Sequence, residues 1–143
     1  MKQALVLFVL VLGLLQAGKA LVGPDTVLQA VFGAIAAMSL MISATFLWLW
    51  RERATPLALG MSFSWLGAGL SSGWWWIYDL RGRPAWDYRD DGALAVLGLF
   101  VVGAVLHFAV IHRSFGRHGA SFLWPVLTAL ALSAGTLVVV RSL

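Results

Sequence analysis

The residue types able to do chemistry crowd into one stretch. Trp74-Trp75-Trp76 run into Ile77-Tyr78-Asp79-Leu80-Arg81-Gly82-Arg83-Pro84-Ala85-Trp86-Asp87-Tyr88-Arg89-Asp90-Asp91. Asp87, Asp90 and Asp91 could converge on a cation as oxygen ligands, or one of them could serve as a general base. A plainer account uses the same residues: Arg81, Arg83 and Arg89 neutralise the acids, and Asp90 or Asp91 complements the start of a following helix. Capping and ion pairing are therefore expected first. Docking of a partner or ligand on Trp75, Trp76, Asp79, Arg81, Arg83, Trp86 and Asp87 comes second, and metal binding or catalysis last.

One ionisable side chain, His107, lies well inside an apolar run, and such residues are functional candidates in a membrane. Counting from the helix starts places Met41 at a similar depth on another helix running the same way. A His/Met haem site or a quinone bonded to the imidazole is thus a candidate. A bis-histidine haem would need another buried histidine, whereas His112 and His118 fall at or beyond the boundary with Arg113 and Arg117, where lipid headgroups are the expected neighbours. An interhelical hydrogen bond is the first expectation for His107, and no resident cofactor is assigned. Ser62, Ser64, Ser71 and Ser72 are spaced for packing, and no histidine and acid can be matched to any of them as a nucleophile's partners. The chain has no cysteine, no phosphate-binding glycine loop and no zinc signature. No catalytic or metal-ligating residue is assigned, and the reading leans away from an enzyme.

The elements that must position these residues follow from composition. Hydrophobic residues make up 61% of the 143 and charged ones 11%, against roughly 45–50% and about 25% in soluble domains. An integral membrane protein follows. Five apolar runs, about 4–22, 26–50, 56–78, 92–112 and 121–140, each approach the ~20 residues that cross a bilayer as a helix. Gly23-Pro24-Asp25-Thr26 offers a break and capping side chains, and Thr55-Pro56 puts proline in a first turn. Short connections imply antiparallel neighbours. The expected fold is an all-α, up-and-down bundle of five transmembrane helices in a single domain, 1–143, with a longer loop at 80–91. Lys2, the run Ala4 to Leu15 and the small residues up to Ala20 also have the layout of a signal peptide, which would leave four helices; a retained first helix is preferred.

Lysines and arginines divide evenly between the two sides, so orientation rests on Lys2 preceding the first helix to insert. That places the N-terminus in the cytoplasm and the loop 80–91 outside. The net charge of +4 is scattered, which sets nucleic acid aside as a partner. An overlay of helices two and three on helices four and five gives only a faint internal symmetry.

Within lipid, helices associate through small residues and hydrogen bonds. Gly60, Ser64, Gly67 and Ser71 share one face of the third helix and should hold another helix, of the same chain or of a partner. Gly33, Ala36 and Ala37 mark the second helix in the same way, and Ala129, Ala131, Ser133 and Gly135 the fifth. Most of the eight tryptophans sit at run ends, where aromatic belts form; Trp65, deep among small residues, should need a partner for its N–H. The composite expectation is a small non-enzymatic membrane protein acting by helix packing, as a homo-oligomer or as an accessory subunit of a membrane complex. A pore or small-solute transporter and a haem- or quinone-associated redox subunit are the alternatives.

Overall fold

A computed structural model describes residues 2–84, 91–116 and 119–142. The chain is all α: five long helices form an up-and-down bundle. They are α1 (Lys2–Val22), α2 (Pro24–Arg53), α3 (Pro56–Leu80), α4 (Asp91–Ser114) and α5 (Trp124–Ser142), the last preceded by a short 3₁₀ turn at Ala120–Leu123. The helices outrun the apolar segments because an apolar run marks the hydrocarbon depth, while the backbone ladder continues until something stops it. Four regions, Lys2–Val22, Pro24–Arg53, Leu94–Ser114 and Ala120–Ser142, are long and apolar enough to cross a bilayer. The chain therefore reads as membrane-spanning.

α3 has the length of the other four but a lower peak hydropathy, because its leucines are interrupted by serine, glycine and tryptophan, the last amphipathic rather than purely polar. Its place in the fold explains how this is tolerated. α2 packs on one side of it and α4 on the other, and neither of those two touches the other. Protein thus covers much of the surface that would otherwise need to be lipid-compatible.

The two faces of α3 interleave. Residues two apart on a helix are separated by about 200°, so alternate small residues point to opposite neighbours. Gly60, Ser64 and Gly67 meet α4: a Cβ on Gly60 would lie 3.0 Å from the His107 amide nitrogen, one on Gly67 2.9 Å from that of Phe100, and one on Gly103 would collide with Ser64. Ser62, Gly69 and Gly73 meet α2 instead, through Ser43, Leu40 and Ala36. Ser43 Oγ donates to the Ser62 carbonyl at 2.8 Å, and Ser62 Oγ donates to the Ser43 carbonyl at 3.1 Å. Both hydroxyls are buried, so this reciprocal pair satisfies what lipid could not.

Helix ends depart from expectation in one respect. α2 starts at Pro24 after Gly23 at φ 89°, with no side-chain cap, so Asp25 lies in its first turn rather than capping it. There the carboxylate still faces the positive end of the helix dipole. At the other end Ala54 adopts a left-handed φ of 48°, and its N–H bonds the Trp50 carbonyl at 2.7 Å.

α1 and α5 stand apart from this core, since neither contributes a buried residue. Among the described residues, α1 touches α2 alone, and α5 touches only α4 and the 3₁₀ turn. Their leucines and valines face outward along their length, as at Leu14 and Val138. In water such surfaces would associate; in a bilayer they are solvated.

Candidate functional site

The Asp79 end of the bundle brings α2 and α3 together around a cavity of about 890 Å³. Its formation begins at Gly33, where a Cβ would stand 2.6 Å from the Trp76 indole. The absence of that Cβ lets the ring lie directly on the α2 backbone. Phe32, Trp75, Trp76 and Tyr78 supply the aromatic wall. Trp75 and Tyr78 meet edge to face, with centroids 5.7 Å apart, a favoured geometry for aromatic pairs. Ser71 and Ser72 add hydroxyls from α3, with Ser71 one turn beyond Gly67 along the helix.

The mouth is polar. Arg83 Nε donates to Asp79 Oδ1 at 2.9 Å, and Gln29 Nε2 donates to Asp79 Oδ2 at 3.4 Å, so both oxygens of that carboxylate are engaged. Arg83 is exposed in the turn beyond α3, and the carboxylate hydrogen-bonded to it raises its already high pKa. Asp25 reaches the same cavity from the first turn of α2, with no hydrogen bond or ion pair among the described residues. Nothing in the sequence marks Asp25, Gln29 and Phe32 as cavity residues, because their partners lie some fifty positions away and only antiparallel pairing joins them.

The other candidates are distributed differently. Trp75, Trp76, Asp79 and Arg83 come together here, and Arg81 follows α3 in the exposed turn. Trp86 and Asp87 lie outside the described residues, as do Asp90, Arg89, Arg117 and His118, and no side chain is described for Asp91. Among the described residues no three histidines or acids gather closely enough to hold a metal ion.

His107 is half-buried on α4 and meets Phe108 edge to face at 6.2 Å. No hydrogen bond of its ring occurs among the described residues. Met41, the candidate counterpart expected at a similar depth, does not adjoin His107 among the described residues. α3 stands between their helices, and Met41 is 69% exposed on a different face of α2 from the buried Ser39 and Ser43. Counting residues gave depth but not the intervening helix. Nor do the depths match well: His107 is level with Gly60, whereas Ser43 pairs with Ser62, which puts the imidazole closer to the Arg53 end than Met41. His112 lines a separate space of about 460 Å³ with Phe108, Phe115, Phe122 and Pro125 near the start of α5.

The tryptophans fall at both ends of the helices. Trp48 and Trp124 are largely exposed near the Arg53 end and Trp75 is half-exposed near the Asp79 end, while Trp65 is half-buried in mid-helix. A scan against protein-family models, a search of curated proteins and a search of solved structures each find no match to this chain.

Proposed function

We propose that this chain is a small, non-enzymatic membrane protein that works by association within the bilayer, either with further copies of itself or as an accessory subunit of a larger membrane assembly. The observation carrying this reading is the contrast between two kinds of small-residue face. On α3 and α4, Gly60, Gly67 and Gly103 are filled by a neighbouring helix of the same chain. On α5, Gly135 has nothing within 4 Å of where its Cβ would be, and it shares a shallow groove with Thr128, Ala131 and Thr136. Spacing of four between Ala131 and Gly135 is what lets a second helix approach closely in lipid.

The alternatives draw less support from the geometry. A water-filled path needs polar groups facing a lumen, but Ser39, Ser43 and Ser62 are buried in the seam between α2 and α3. A haem held by His107 would need another axial ligand, and the separation of α2 from α4 by α3 gives Met41 little support in that role.

The test is the mass of the protein in mild detergent, determined together with whatever co-purifies. A closed oligomer or a defined complex is expected, with Gly135→Leu breaking it while the α2–α3–α4 core keeps its thermal transition. A bare monomer, or an assembly indifferent to Gly135→Leu and to substitutions on the outer face of α1, would overturn the reading.

A further inference from the structure

We infer that the cavity at the Asp79 end binds an organic cation with an apolar body. Two carboxylates, Asp25 and Asp79, face it against one guanidinium, Arg83. Asp79 engages Arg83 and Gln29 through both of its oxygens, and Arg83 also feels the charge of the exposed Asp25, so two carboxylates share one guanidinium and the lining keeps one net negative charge to meet a ligand. Arg83 would repel a cation if it were loose, but the bond to Asp79 holds its charge at the rim.

The walls point to the same class. Aromatic faces attract a cation through their quadrupole, most strongly for tryptophan and more so when water is excluded. Phe32, Trp75 and Trp76 line the same cavity as the two carboxylates. A volume of about 890 Å³ lies within the ~300–1,000 Å³ typical of sites for drug-sized ligands. An anion would meet the excess negative charge of Asp25 and Asp79 over Arg83, and a small hydrated ion would leave the aromatic wall unused. Because the site lies at a helix end, its occupant could be a quaternary ammonium headgroup from the lipid or a freely diffusing lipophilic cation. The chemistry is shared and the experiment separates the sources.

The full chain is reconstituted in nanodiscs of phosphatidylglycerol and, separately, of phosphatidylcholine. Equilibrium binding of radiolabelled tetraphenylphosphonium is measured against empty nanodiscs, with tetraphenylborate as the anion of the same shape. Saturable, protein-dependent binding of the phosphonium and not of the borate is expected. Asp25→Asn and Trp75→Ala should each weaken it about tenfold, while Asp25→Glu retains most of it, with every variant verified as folded by near-ultraviolet circular dichroism. Binding in both lipids assigns the site to a free cation; binding in phosphatidylglycerol alone, lost when phosphatidylcholine is added, assigns it to the choline headgroup. No saturable binding in either lipid, equal binding of the borate, or unchanged affinity in folded Asp25→Asn would overturn the inference. None of these outcomes depends on oligomeric state, so the inference stands or falls apart from the proposed association.

Discussion

Gly103 and Gly135 differ in what a methyl group would meet. At Gly103 it would run into the backbone and hydroxyl of Ser64, whereas at Gly135 the space is open. Overpacking of a tight contact costs about 1–3 kcal/mol, and the neighbour here is backbone with little freedom to yield. Gly103→Ala should therefore lower the thermal transition in detergent clearly, and Gly135→Ala should leave the transition of the monomer unchanged or slightly raised, since alanine favours helix. Equal responses at the two sites would contradict the packing described here. Ser43 and Ser62 allow a second test at this scale. Each hydroxyl bonds the other's backbone carbonyl, which alanine would keep, and the two hydroxyl oxygens also lie 3.3 Å apart, so the side chains are coupled through that direct contact. Each single alanine substitution should cost about 0.5–1.5 kcal/mol. The double variant should cost less than their sum, and a double-mutant cycle of reversible unfolding reads that coupling directly. Strict additivity would mean that the two hydroxyls do not act as a pair.

Among the elements, α3 shows most plainly how local pattern becomes architecture. Its serines, glycines and tryptophans keep it below the hydropathy that marks the other four helices, and its glycines and serines, alternating between two faces, let α2 and α4 approach it. A helix of this kind facing lipid would expose polar groups that cost free energy; sandwiched, it becomes the centre of the protein. The end of α2 carries a different local feature. Ala54 holds a left-handed φ of 48°, a conformation that costs a residue with a Cβ roughly 1–2 kcal/mol and glycine little. Glycine gives back part of that in unfolded-state entropy, so Ala54→Gly should stabilise by about 1 kcal/mol or less. Thermal unfolding in detergent checks the sign: a fall would show that the turn at Ala54-Thr55-Pro56 is not strained.

At the scale of the whole molecule, packing is confined to a layer of three helices, with α1 and α5 attached at its edges. Among the described residues, contacts run only between helices adjacent in sequence, so the fold leaves broad outer faces to lipid or to partners. The absence of cysteine makes that division open to measurement. A single cysteine placed at Gly135 should form disulfide-linked dimers readily in membranes under mild oxidation. One placed at Ser62 should not, because α2 covers it. Cross-linking at neither position, or more at Ser62 than at Gly135, would show that copies do not meet through α5.

Helix class, helix number and approximate limits were legible in the sequence, because an uncovered backbone cannot be tolerated in hydrocarbon and long apolar runs therefore have one structural outcome. The face of Gly60, Ser64 and Gly67 was legible as a helix-packing face, since spacing of three and four places those residues on one side. Which helix would fill it was not. Gly67 and Gly135 look alike along the chain, and only the antiparallel pairing of α3 with α4 closed one and left the other open. The same register decided that Ser62 meets Ser43, that α3 separates His107 from Met41, and that Asp25, Gln29 and Phe32 reach across to Trp75, Trp76 and Asp79. Sequence spacing governs the direction a side chain leaves its own helix; the neighbour it meets depends on how whole helices pack, a choice made by many small contacts summed along their length.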